Sequence, residues 1–240
     1  MIDLHSHVLP GLDDGPRDLD GALDICRAAA EEGIEVLAAT PHVRDDYPTT
    51  PEQMEAAFAL VRDAAGDLVR LVPGGEVAVP QLSRPVEELR RFGLAGNPRF
   101  LLVETPYYAW PSDFADRVDR LGADGITAVV AHPERNAAVQ DRPRLVEEVV
   151  EAGALVQLTA GSLDGRQGPD VQACAFKLLS LRVAHMIASD AHAPTVRAIG
   201  MRSAARAVEN DELAQWLTDD LPRAIVDGTE LPDRPGRRRR

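Results

Sequence analysis

The chain is short of the residues that would mark a secreted, membrane-bound or nucleic-acid-binding protein. It has only two cysteines in 240 residues, Cys26 and Cys174, and both fall inside helical patterns. Two are too few for a disulfide framework, and no CxxC pair offers a structural metal site, so reduced core thiols are expected. A thiolate-based tyrosine phosphatase is excluded as well. It needs an arginine six residues after its cysteine, and those offsets hold Glu32 and Ser180. No apolar run approaches the roughly 18 residues of a membrane span. Met1 leads straight into the strand-like Ile2-Asp3-Leu4-His5 without a charged and apolar leader. These absences predict a cytoplasmic chain with no membrane span. Positive charge is also scarce. The net charge is -13, Lys177 is the only lysine, and Arg234 with Arg237 to Arg240 crowd the end of the sequence. So acidic a surface repels phosphate backbones, which argues against a nucleic-acid partner.

What is present is an alternation of short β-rich runs with longer amphipathic stretches. Strands are predicted at Ile2 to His5, Ile34 to Thr40, Val69 to Glu76, Phe100 to Glu104, Ile126 to His132, Leu155 to Thr159 and His185 to Asp190. Helices are predicted at 19 to 32, 51 to 65, 111 to 122, 142 to 152 and 169 to 181, with more from 198 to 226. Thr50-Pro51 and Pro111-Ser112 read as helix starts, and Gly33, Gly122 and Gly153 as stops. Repeated β-α units predict a parallel sheet, and seven strands predict an α/β barrel of TIM type, short of eight. The barrel is expected to occupy residues 1–232, with 233–240 a disordered arginine-rich tail.

The placement of potential ligands carries the chemistry. His5 and His7 end the first predicted strand, His42 follows the second, Glu76 ends the third, Glu104 the fourth and His132 the fifth, and Asp190 with His192 ends the seventh. In a parallel barrel the C-terminal ends of the strands face one cup, where active sites are built. Five of the six histidines fall there; the sixth, His185, opens its strand at the opposite end and is predicted to be structural. Carboxylates mixed with imidazoles suit manganese, iron or zinc, whereas calcium and magnesium seldom use histidine. The set exceeds one ion's needs, so a multinuclear centre is expected.

Ile-Asp-Leu-His-Ser-His at the start, Asp13-Asp14-Gly-Pro, Thr40-Pro41-His42, Gly75-Glu76, Val103-Glu104, His132-Pro-Glu-Arg135 and Ser189-Asp190-Ala-His192 together resemble the polymerase and histidinol phosphatase (PHP) family. The likeness is strongest to its bacterial branch of manganese-dependent protein tyrosine phosphatases of capsular polysaccharide synthesis. The resemblance implies a distorted (β/α)7 barrel with three divalent ions, manganese or else iron or zinc. It also implies a phosphotyrosyl protein as substrate, itself a bacterial tyrosine kinase. By the same resemblance His5, His7, Glu76 and Asp190 hold one ion, Glu76 bridges to a second on Glu104 and His132, and Asp14, His42 and His192 hold the third. Asp13 competes with Asp14 for the ligand role, since either could instead cap the following helix. Asp3, on the strand face of His5, is expected to support a ligand and not to be one. Arg135 and Arg197 occupy the positions of a phosphate clamp, with a surface salt bridge as the plain alternative for each.

Three other readings stand beside this one. Within the family, histidinol phosphate hydrolysis or another phosphoester activity is open. A metal-dependent amidohydrolase also starts with HxH and ends with an aspartate, yet it often bridges its metals with a carboxylated lysine at a strand end, and Lys177 lies in a predicted helix. A non-catalytic scaffold would keep about four closed ligands, fewer than are present. The few aromatics gather on the active face: Tyr47 follows His42, and Tyr107, Tyr108 and Trp110 follow Glu104. They fit either a cap on the core or a stack against a substrate's phenyl group.

Overall fold

The computed structural model describes residues 1–195 and 197–236. Its strands are β1 (Ile2–Ser6), β2 (Val36–Ala39), β3 (His42–Arg44), β4 (Tyr47–Pro48), β5 (Arg70–Pro73), β6 (Glu76–Ala78), β7 (Phe100–Glu104), β8 (Thr127–Ala131), β9 (Leu155–Thr159) and β10 (Met186–Ala188). They form two sheets, β1-β2-β5 and β10-β9-β8-β7-β6-β3-β4. The two sheets are parts of one ring, because β3 continues β2 and β6 continues β5 after a break.

Each break has a local cause. Pro41 has no N–H to extend the ladder beyond β2. Between β5 and β6 lie Gly74 and Gly75, and a Cβ on Gly75 would stand 2.7 Å from Phe92 Cδ1, so the fully buried Phe92 requires glycine there. The third predicted strand, 69 to 76, is therefore two strands, and Glu76 opens the second of them instead of ending the first. The ring closes where Asp190 N donates to His5 O at 2.9 Å and His7 N to Ala191 O at 2.8 Å. Seven strand positions thus run round a distorted parallel α/β barrel, with the short antiparallel β3–β4 hairpin appended at the rim.

Helices cover the outside. Leu19–Glu31 turns Ala22, Ile25, Cys26 and Ala29 inward at helical spacing, and Thr50 starts Pro51–Ala65 with a capping box shared with Gln53. The third predicted helix begins later than expected, at Phe114, with Pro111 and Ser112 outside it. The stretch 198 to 226 is several pieces, Met201–Ala207, Asp211–Gln215, Trp216–Asp220 and Leu221–Asp227. Glu209 takes a positive φ there and Asn210 caps the next turn by accepting from Leu213 N, which ends one helix and starts another. Among the described residues three short α-helices escaped the periodicity, Val86–Arg91, Ala137–Asp141 and Ala160–Leu163, each too brief to show a stripe.

Apart from the rim strand β4 and the exposed Arg70 that opens β5, the strands are buried on both faces or nearly so, as a barrel wrapped by helices requires. Of the tail, residues 237–240 lie outside the described residues, while packing reaches Arg234. Its guanidinium donates to Ala184 O at 2.6 Å and Leu179 O at 3.2 Å and lies 5.7 Å from the Trp216 ring centre. Among the described residues no helix is long and apolar enough to cross a membrane.

Candidate metal centre

Strand register sets the levels from which the ligands point. His42 lies opposite Glu76 in the β3–β6 pair, and Glu104 closes β7 opposite Ala131 of β8. His132 follows β8 and Asp190 follows β10. Three residues of the site, His132, Asp190 and Arg197, adopt positive φ without being glycine (34°, 53° and 52°), a backbone strain that aims their side chains into the cup. Gly15 is needed for the Asp13-Asp14 turn, since a Cβ there would stand 2.2 Å from His7 O.

All nine sequence-predicted ligands converge. His5 Nε2 lies 3.2 Å from His7 Nε2 and 3.4 Å from both Glu76 Oε2 and Asp190 Oδ1. His7 Nε2 is 3.3 Å from Glu76 Oε2 and 3.2 Å from Asp190 Oδ1. Donors placed about 2.1 Å from one ion in a tetrahedron stand about 3.4 Å apart, and the separations of the two imidazoles from each other and from each carboxylate fall at that spacing. Beside it, Asp14 Oδ1 is 3.1 Å from His192 Nε2 and 3.5 Å from His42 Nε2. On the other side Glu76 Oε1 is 2.8 Å from His132 Nε2. Glu104 groups with His42 and Glu76, and His132 with His5 and Glu76. Arg44 accounts for this lean of Glu104 toward His42, because its Nη1 donates to Glu104 Oε2 at 3.2 Å.

The electrostatics call for cations. Glu104 Oε1 and Asp190 Oδ1 are buried and accept no hydrogen bond, while the buried Glu76 Oε2 faces His42 Nδ1 at 2.8 Å. Burial, then the neighbouring Glu76, pushes the Glu104 carboxyl up to about 7. Burial works in the same direction on Glu76 and Asp190, but His5 and the other facing imidazoles, joined by Arg135 and Arg197 at Asp190, outweigh it and hold both well below the carboxylate range. Burial, then Arg135, brings His132 down to about 4, leaving a neutral imidazole suited to ligation.

The backs of the candidate ligands are held too. Asp13 Oδ2 accepts from His7 Nδ1 at 2.7 Å and from His42 N at 2.9 Å, so Asp13 orients His7 while Asp14 faces the cup. Gln157 Oε1, on β9, accepts from His5 Nδ1 at 2.9 Å. Asp3 accepts from Ser189 N at 2.9 Å and His5 N at 3.3 Å, fastening β1 to the end of β10. Glu134, fully buried, accepts from Thr159 N at 2.8 Å and Ser162 Oγ at 2.7 Å and so fixes the loop carrying His132 and Arg135. Of these four, Gln157 has no signal in the sequence beyond being polar where a strand should be buried, and Glu134 lies in the His132-Pro-Glu-Arg135 motif without a role read for it there.

Both arginines reach the site. Arg135 Nη1 donates to Asp190 Oδ2 and its Nη2 to Tyr107 Oη at 3.1 Å, while Arg197 Nη2 donates to Asp190 Oδ2 at 2.7 Å and its Nη1 to Asp14 Oδ2 at 3.3 Å. The aromatics divide. Tyr47 stacks on His42 at 5.7 Å and Tyr107 on His132 at 6.4 Å, Trp110 meets Phe114 edge-on at 5.3 Å as a core cap, and Tyr108 is 89% exposed. Lys177 is exposed on the helix Pro169–Ser180 and not at a strand end, the position from which a bridging lysine would serve. His185 stands just before β10 with Nδ1 accepting from Val156 N at 3.1 Å, at the structural end expected for it.

A family model described as capsular polysaccharide synthesis, CpsB/CapC, matches residues 1–221. The tyrosine-protein phosphatase YwqE of Bacillus subtilis (strain 168) is 30% identical, the match covering 100% of this chain and 98% of that protein. The putative tyrosine-protein phosphatase CapC of Staphylococcus aureus is 30% identical over 82% of this chain and 79% of its own length. Among solved structures, one described as YwqE from Bacillus subtilis and CpsB from Streptococcus pneumoniae, unique metal-dependent tyrosine phosphatases, superposes with a TM-score of 0.88 at 28% identity. It covers 99% of this chain and 100% of the other.

Proposed function

The chain belongs to the CpsB/CapC family of capsular polysaccharide synthesis, and from that premise we propose that it is a metal-dependent protein tyrosine phosphatase of the PHP type. The observation that carries the reading is the cluster of His5, His7, Glu76 and Asp190, in which the two imidazole Nε2 atoms stand 3.2 Å apart and each lies 3.2 to 3.4 Å from Glu76 Oε2 and from Asp190 Oδ1. In this proposal those four hold one divalent ion, Glu76 reaches a second shared with Glu104 and His132, and Asp14, His42 and His192 hold a third. Manganese suits the imidazole-rich set, with iron or zinc as alternatives. Ions so placed lower the pKa of water and screen phosphoryl oxygens.

The chain's own groups do the rest. Arg135 and Arg197 present guanidinium donors at the mouth of the cup, suited to the equatorial oxygens of a phosphoryl group as charge spreads over them. Asp13 and Gln157 fix the His7 and His5 rings so that their Nε2 atoms face inward. A phenolate leaves with a pKa near 10, so demand for a proton donor is modest. The phosphotyrosyl substrate is proposed to be a bacterial tyrosine kinase of capsule or exopolysaccharide synthesis, which joins the family's description to the relatives' activity. A cytoplasmic location is proposed with it, where the buried thiols of Cys26 and Cys174 stay reduced.

Chelator should abolish turnover of a phosphotyrosyl peptide, and manganese should restore it better than magnesium, with bound metal followed by elemental analysis. Full turnover in metal-free protein would sink the mechanism. Metal binding without phosphatase turnover would instead favour an amidohydrolase or a scaffold.

A further inference from the structure

Beside Glu104 the cup extends into a recess of about 140 Å³ that no ligand role uses. Its walls are Ala78, Pro80 and Pro106, with Arg44 and Tyr107 at its borders and Glu104 on the side of the metal centre. Ala78 lies two residues beyond Glu76 on β6, on the same strand face, so the recess adjoins the ligands. A cavity of roughly 150 Å³ suffices for a benzene-sized ring.

Arg44 is held rather than free. Its Nη1 donates to Glu104 at 3.2 Å, its Nε lies 2.8 Å from Asp46 Oδ1, and its guanidinium carbon lies 5.1 Å from the centre of the Tyr47 ring. Two carboxylates and one ring fix a flat cation at the border of an apolar slot. A guanidinium immobilised in this way offers a face to a second aromatic ring at little further ordering cost. Tyr107, at another border, also accepts from Arg135, so the slot and the expected phosphate clamp share a residue.

We propose that this recess receives the phenyl ring of the substrate, and that Arg44 and Ala78 determine the preference for aryl over alkyl phosphates. The inference rests on the phosphatase reading given above. A phosphoryl group at the metal centre would direct an attached ring past Glu104 between Arg44 and the proline walls. An alkyl phosphate has no flat group to fill the slot.

Phenylphosphonate and methylphosphonate, which are not hydrolysed, probe the recess by calorimetry on the manganese-loaded protein, with metal content measured alongside. Ala78→Leu fills the slot and should weaken phenylphosphonate about tenfold relative to methylphosphonate. Arg44→Met keeps the bulk but removes the cation, and should weaken it between about twofold and thirtyfold on the same ratio. Equal changes for both phosphonates, or none, in variants that keep their metal would overturn the recess. If Ala78→Leu fails to fold, Arg44→Met decides alone. A wild-type protein that loads metal yet binds neither phosphonate would instead overturn the phosphatase reading beneath it.

Discussion

His185 offers a pH test that the metal centre does not share, because it sits at the far end of the barrel. Burial, then the nearby Arg234, brings its imidazole from 6.5 down to about 4. Geometry agrees, since Nδ1 accepts from Val156 N at 3.1 Å and a protonated ring would set donor against donor. The folded state therefore prefers the neutral ring. Above pH 6.5 folded and unfolded chains are both neutral at this position and nothing is lost. As pH falls below 6.5 the unfolded chain takes up the proton first, and stability drops until the folded form also protonates near pH 4. Between pH 7 and pH 5 those two values give a loss of about 2 kcal/mol, and solvent reaching the part-exposed ring reduces it to about 1–2 kcal/mol.

The variant His185→Asn places an amide oxygen where Nδ1 accepts, keeps the bond to Val156 and removes the titration. Its loss of contact with Trp216, whose ring centre lies 6.2 Å away, lowers stability by the same amount at every pH and cancels in the comparison. Urea unfolding of both proteins in excess chelator at pH 7 and pH 5 isolates the term, because the acid-sensitive ligands are common to both. Wild type should lose about 1–2 kcal/mol more than the variant over this interval, which corresponds to about 2–8 °C in melting temperature. Parallel losses, agreeing within about 0.3 kcal/mol, would refute the assignment of a neutral structural histidine.

Asp13→Asn should weaken manganese binding about 10- to 100-fold while leaving turnover recoverable at high metal, whereas Asp14→Ala removes a proposed ligand and should resist rescue; metal titration of both variants checks the division of labour. Arg135→Lys cannot reach Asp190 and Tyr107 together, and should lower kcat/KM on a phosphotyrosyl peptide by about 100- to 1000-fold; a change under threefold would remove Arg135 from the clamp. Trp110→Ala should lower stability by about 1–3 kcal/mol through its contact with Phe114 and leave the ratio of aryl to alkyl phosphate turnover unmoved; a selective loss on aryl phosphate would return Trp110 to substrate binding.

Phe100–Glu104 and Leu155–Thr159 were legible to the residue because each is a short apolar run ending in a polar group, the signature of a buried parallel strand. The convergence of the nine candidate ligands was legible for a related reason: histidine and carboxylate are rare at the ends of such runs unless chemistry needs them there. The break of the third strand was not legible, because Gly74 and Gly75 read as weak strand residues until Phe92, distant in sequence, is seen filling the space a Cβ would take. The same limit hid Gln157 and Arg44. A glutamine inside an apolar strand looks like any tolerated polar residue, and only the 2.9 Å contact with His5 Nδ1 gives it work. Arg44 in Arg44-Asp45-Asp46 reads as a solvated charge run, yet the β3–β4 hairpin turns it back on Glu104 and Tyr47. Residues that bind ions are constrained by type, so their chemistry shows through the sequence. Residues that orient those ligands or shape the substrate's slot are constrained by position, and position is settled only once strands distant in sequence have closed into a ring.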